Sequence, residues 1–227
     1  MKITKKIRNV LSTALIVTMM SAMLTGCSKG STADASTVLN FGCTNFSESL
    51  DPSAMPNAAW AVSRYGIGES LFKFDDKMEA DYNLCDEYSV NDDKTEWKLH
   101  IRENLKFSNG KEVNASSVVK SIEYMYEQEK SGKGSTTPSQ YMIYDSIKAD
   151  DESRTVTIKT SKPYADLTKA LAHPFFVILD MESDLANNPV GTGPYVIDKY
   201  DVGVCVAMKA NEDYWKVEVP YEKLNIS

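Results

Sequence analysis

Apolar positions along this 227-residue chain alternate between two periods, and each period predicts a different element. Thr37 to Thr44 is β-branched and apolar, which predicts a first strand. Trp97, Leu99 and Ile101 alternate with Lys98, His100 and Arg102, the pattern of a half-buried strand. The period then lengthens. Val118, Ile122, Met125 and Tyr126 recur at i, i+4, i+7 and i+8, so a helix runs from an Asn114 cap to about Lys130. Ile143 to Ala149 and Thr155 to Thr160 read as two strands around the acidic turn Asp150-Asp151-Glu152, with Val156 and Ile158 facing inward. Tyr195 to Tyr200 and the alternating Val204, Val206 and Met208 add two more strands, and Pro220 to Ser227 reads as a strand entering the core. Ala58 to Leu71 is expected to be helical, weakened by Gly66 and Gly68, and Tyr164 to Ala172 is expected to form a short helix. Asp51-Pro52 and Met55-Pro56 mark a turn-rich approach. Asp75 to Glu79, Asn91-Asp92-Asp93-Lys94 and Ser108-Asn109-Gly110 are turns. Strands and helices mix without strict βαβ alternation, so the class is α/β or α+β.

The first 26 residues follow another logic. Lys2, Lys5, Lys6 and Arg8 precede an apolar run from Val10 to Met23, too short to span a bilayer and flanked like a signal peptide. Leu24-Thr25-Gly26-Cys27 resembles the lipobox of bacterial lipoproteins. That resemblance implies export, cleavage before Cys27 and lipidation of its thiol, giving a membrane-anchored protein on the extracytoplasmic side. A plain secretory leader is the other reading, and it too sends the chain out of the cytoplasm. Ser28 to Ser36 is small and polar and reads as a tether.

Composition narrows the partners. The whole chain carries a formal charge of −7; without residues 1–26 it has 21 Lys and Arg against 32 Asp and Glu, a net of −11. Such a balance disfavours nucleic acid and anionic membrane surfaces, which need basic patches. Besides Cys27, the cysteines are Cys43, Cys85 and Cys205, without a C-x-x-C pair. Buried free thiols are the expectation, with one disulfide among the three left open. The residues do not assemble into a catalytic pattern. His100 and His173 are the two histidines, neither in H-E-x-x-H spacing. There is no G-x-S-x-G elbow, and Pro194 removes a donor that a phosphate loop at Gly191-Thr192-Gly193 would need. Asn45-Phe46-Ser47 and Asn114-Ala115-Ser116 match the glycosylation pattern, which carries little meaning in a bacterial lipoprotein. No enzyme activity, metal site or cofactor is expected.

Three stretches in order carry a family resemblance. The first is Ser49-Leu50-Asp51-Pro52 followed by Glu69-Ser70-Leu71-Phe72. The second is Glu96 to Arg102, then Leu105 to Gly110, then Asn114 to Tyr124. The third is Pro189-Val190-Gly191-Thr192-Gly193-Pro194-Tyr195, closing with Asn211-Glu212-Asp213-Tyr214-Trp215. Together they resemble the extracytoplasmic solute-binding proteins of family 5, which serve ATP-driven importers of oligopeptides, dipeptides and nickel chelates. The resemblance implies an α/β fold of the type II periplasmic-binding-protein kind. It places lobe I at 37–70 and 187–227 and an accessory subdomain at 71–186, with the second lobe missing from this chain.

The same resemblance implies a ligand face. Thr44, Asn45, Phe46 and Ser47 correspond to a stretch lining the cleft from lobe I. Trp60 stands where an aromatic or Met commonly faces the cleft, Tyr141 follows a loop that reaches ligand, and His173 and Phe176 lie where nickel-chelate relatives can supply an Arg. No Arg stands there, which weakens a carry-over of chelate binding. The implied partners are an oligopeptide first and a nickel or other metal chelate second, an ABC permease, and the membrane through the lipid. A chain without transport activity, or an anchored surface protein meeting other proteins, remains the alternative. Trp97, Gly191, Gly193, Tyr214 and Trp215 read as fold-maintaining.

Overall fold

The computed structural model describes residues 37–43, 48–216 and 219–227. The expected leader, Cys27, the expected tether and Thr44 to Ser47 lie outside the described residues.

One half is an antiparallel sheet under a long helix. Strands β5 (Cys85–Val90), β6 (Glu96–Ile101), β7 (Ser146–Asp150) and β8 (Thr155–Lys159) pair in the order β5-β6-β8-β7. Trp97, Leu99 and Ile101 on β6, with Val156 and Ile158 on β8, are buried as their alternation predicts. Helix α2 (Ala115–Ser131) covers them with Val118, Ile122 and Met125. Its start is fully capped: the Asn114 side chain accepts from Ser117 N–H, while Ser117 Oγ accepts from Asn114 N–H. Its end is Gly132 at φ +68°, the left-handed conformation that stops helices.

The other half is a mixed sheet ordered β1-β12-β11-β10, from β1 (Val38–Phe41), β10 (Tyr195–Asp201), β11 (Cys205–Ala210) and β12 (Lys223–Ile226). β1 and β12 run parallel, pairing Leu39 with Leu224 and Phe41 with Ile226. Helix α1 (Pro56–Arg64) packs here through Ala61 and Val62, joining Leu50, Ile67, Val206, Met208, Leu224 and Ile226 in a second core cluster. Two short pairs complete the structure: β2 (Glu69–Ser70) with β9 (Val177–Ile178), and β3 (Phe72–Phe74) with β4 (Ala80–Tyr82).

Several expectations change. The helix expected over 58–71 stops at Arg64, because Gly66 takes φ +73° and turns the chain into β2. Pro56 opens that helix instead of blocking it; at the first helical position its missing N–H is not needed. The expected helix over 164–172 contracts to α3 (Leu167–Ala170). The strand expected from Ile143 begins at Ser146, and Val204 lies in the β10–β11 turn, exposed. Cys43, Cys85 and Cys205 are free thiols as expected, but Cys43 and Cys205 are only half-buried. Cys85 is buried, and burial pushes its pKa up to about 12. His100 is not simply solvated: its Nδ1 lies 2.6 Å from Asp86 Oδ1 across the β5–β6 pair.

Candidate functional site

The family-like motifs meet physically at one place. Gly191 and Gly193 lie against the backbone of residues 66–68, where a Cβ on either would come within 2.2 Å of a carbonyl oxygen of Ile67 or Gly66. Gly193 N–H donates to Ile67 O (3.0 Å) and Tyr195 N–H to Gly66 O (2.9 Å). Only glycine allows this backbone-on-backbone crossing. Next to it, Glu69 gathers two distant segments. Its carboxylate accepts from Thr192 Oγ1 (3.0 Å), Tyr214 OH (3.1 Å), Trp215 Nε1 (2.8 Å) and Lys216 Nζ (2.7 Å). Burial, with the Glu69 charge beside it, pushes the Tyr214 phenol up. Asn109 is tied down similarly: its Nδ2 donates to Asp180 Oδ2 at 2.8 Å, and Lys111 pairs with the same oxygen at 2.9 Å. These motifs build the frame.

Three of the residues expected to face a ligand meet where α1 approaches the 3₁₀ turn Pro174–Phe176. Trp60 lies on the outward side of α1, while its neighbours Ala58, Ala59, Ala61 and Val62 are buried. His173 caps the 3₁₀ turn, its Nδ1 accepting from Phe175 N–H at 3.2 Å. The Tyr141 ring stacks on His173 with centroids 3.9 Å apart, and Trp60 meets His173 edge-on at 5.4 Å. Phe175 closes the group, edge-on to both Tyr141 and His173. The structure thus brings together Trp60, Tyr141 and His173 from segments that are far apart in sequence. Burial pushes the His173 pKa down, which favours the neutral ring.

The backbone fixes this group from behind. Tyr141 N–H donates to Pro138 O, and the Tyr164 hydroxyl donates to Tyr141 O. The loop before α1 is clamped to α2 through Asp51, which accepts from Ser53 N–H and Oγ (both 2.8 Å) and from Tyr124 OH (2.7 Å). Burial and the Asp51 carboxylate together push the Tyr124 phenol up to about 12.

Phe176 is a correction. It is 1% exposed and packs against Tyr126 inside the core, so its ring has no surface to offer a ligand; its neighbour Phe175 takes the place at the aromatic group. Thr44, Asn45, Phe46 and Ser47 lie outside the described residues. The strand leading to them ends beside β12, with Cys43 N–H donating to Ser227 O at 2.7 Å.

Arg64 escaped sequence reasoning. It lies one turn beyond Trp60 on the same side of α1, with its guanidinium 4.5 Å from the Trp60 ring centroid and no anionic partner among the described residues. The i, i+4 spacing was the available signal. Trp60 and Arg64 border a groove of about 410 Å³ lined also by Leu39, Phe41, Asn57 and Leu224. Among the described residues no His, Cys, Asp or Glu cluster is placed to hold a metal ion, and no helix is long and apolar enough to cross a membrane.

The profile of the bacterial extracellular solute-binding proteins, family 5 Middle, matches residues 79–227. The chain belongs to that family. It is 31% identical over 166 residues to the nickel-binding protein NikA of Staphylococcus aureus, covering 72% of this chain and 32% of that protein. It is 26% identical over 180 residues to the glutathione-binding protein GsiB of Escherichia coli K12, covering 75% of this chain and 34% of that one. The crystal structure of the S. aureus NikA in complex with Ni(L-His)2 superposes with a TM-score of 0.69 at 27% identity, covering 83% of this chain and 38% of that one. The fold is therefore that of the family 5 type II binding proteins, and the chain spans about a third of the length of the curated relatives it matches.

Proposed function

We propose that this chain supplies the lobe I side of a binding cleft, capturing oligopeptides outside the membrane for an ATP-driven importer. The observation that carries this reading is the convergence of Trp60, Tyr141 and His173 on one half-exposed surface, away from the motifs that hold the frame together. Flat aromatic faces bury the apolar parts of an extended ligand, and a few fixed polar atoms orient it. Thr44 to Ser47 join the ligand-binding residues in this reading on the family resemblance alone. Cys27 carries the lipid that holds the protein near its permease, and residues 37–70 with 187–227 act as the lobe to which 71–186 is accessory.

A metal chelate is the second reading, favoured by the similarity to a nickel-binding protein. The test is a fluorescence titration of the full chain with a peptide pool and, separately, with nickel-histidine. Saturable quenching lost in Trp60→Phe is expected for the true ligand. Absence of saturable binding to either would sink the capture reading. Palmitate incorporation lost in Cys27→Ser checks the anchor.

A further inference from the structure

The two ring nitrogens of His173 have different surroundings. Nδ1 accepts the Phe175 backbone N–H at 3.2 Å. A neutral imidazole that accepts at Nδ1 carries its proton on Nε2. Nε2 has no protein partner among the described residues, and it is not one of the buried unsatisfied atoms, so it opens to solvent. The ring cannot easily turn, because Tyr141 stacks on its face while Trp60 and Phe175 meet it edge-on. Burial favours the neutral form. A second proton on Nδ1 would also set donor against donor at Phe175, leaving a backbone N–H without its acceptor.

We propose that His173 offers Nε2–H as a hydrogen-bond donor to a carboxylate or carbonyl oxygen of the ligand, and is not itself a metal ligand. The proposal rests on the reading of Trp60, Tyr141 and His173 as the ligand face. Coordination through Nε2 needs the lone pair there, which moves the proton to Nδ1 and breaks the bond to Phe175. A nickel ion would therefore arrive with its own donor set, and His173 would touch an oxygen of the carrier. A peptide and a carboxylate-bearing chelate share this chemistry.

The chain has two histidines, so nitrogen NMR of the histidine-labelled full chain separates them, with His173→Gln giving the assignment. At pH 7 His173 is expected to show a protonated Nε2 and a bare Nδ1, and nickel ion alone should leave its signals in place. Affinity for a tetrapeptide or for nickel-histidine should fall about tenfold in His173→Ala, the worth of one good hydrogen bond to a charged group. It should largely return in His173→Gln, whose amide nitrogen replaces the donor. Whichever probe shows this pattern identifies the source of the oxygen. A proton on Nδ1, or stoichiometric binding of bare nickel lost in His173→Gln, overturns the proposal. If no probe binds, the ligand-face reading fails and the recognition step falls with it; the NMR result then tells that failure from a wrong tautomer.

Discussion

Two strand pairs in this protein show how differently the same kind of surface can be treated. In the β5-β6-β8-β7 sheet, Leu99 and Val156 are register partners, and both are fully buried under α2. In the mixed sheet, Leu39 pairs with Leu224 and Phe41 with Ile226, so each pair shares a face. Yet Leu224 and Ile226 are buried while Leu39 and Phe41 are 38% and 55% exposed. What lies over the sheet decides the difference. α2 spans its sheet for 17 residues; α1 has 9 and leaves β1 uncovered beside a groove. The closed half holds the larger cluster of buried core side chains, while Trp60, Arg64 and His173 gather along α1 and the turn beside it.

The sharpest way to break this contrast is at the crossing that joins the halves. Gly191→Ala puts a Cβ 2.2 Å from Ile67 O, backbone that cannot swing away, and should cost about 3 kcal/mol or more in urea unfolding. Gly110→Ala is the control: open space surrounds its Cβ, so only the positive φ is penalised, at about 1 kcal/mol. Next, Leu99→Ala should cost about 3 kcal/mol by cavity formation, whereas Phe41→Ser should change stability by less than about 0.5 kcal/mol and reduce binding of a hydrophobic dye. Equal costs at the two positions would abolish the distinction between covered and open sheet faces. Asn114→Ala removes the reciprocal cap of α2 and should cost about 1 kcal/mol by thermal unfolding.

The smallest effect is one of pH. Burial raises the Asp180 carboxyl, but hydrogen bonds from Lys111 and Asn109 outweigh it and hold the group below its ordinary value. Its folded pKa is lower than its unfolded one, so its stabilisation is present above the unfolded value of about 4 and fades as pH falls through the folded value. Asp180→Asn should flatten the acid limb of the stability profile, measured by urea midpoints from pH 6 to pH 2. An unchanged limb would remove Asp180 from the frame.

Elements with a long, clean period were readable in the sequence. α2 and β6 emerged with their caps and buried faces because each repeats one spacing over many residues. β3, β4 and β5 carried no such signal: Cys85–Val90 lies at a sheet edge and buries only its first residue. The end of α1 was misread because apolar spacing continued past Gly66, where backbone conformation overrode it. At the site, Trp60, Tyr141 and His173 were each legible as candidates, but their contact was not. The role of Glu69 was not legible, since four donors converge on it from residues 192 to 216 and no local pattern records that.

The parallel pairing of β1 with β12 has a consequence in time. Asn40 and Asn225 touch across that pair although 185 positions separate them, whereas β5 through β8 close within one continuous stretch. Long loops are slow to close, and contacts between distant positions form after the local ones reward them. β1 should therefore be the last of the described strands to dock, waiting as a loose thread until its partners have taken shape. Pulse-labelled hydrogen exchange during refolding should find the β6 amides protected before those of β1.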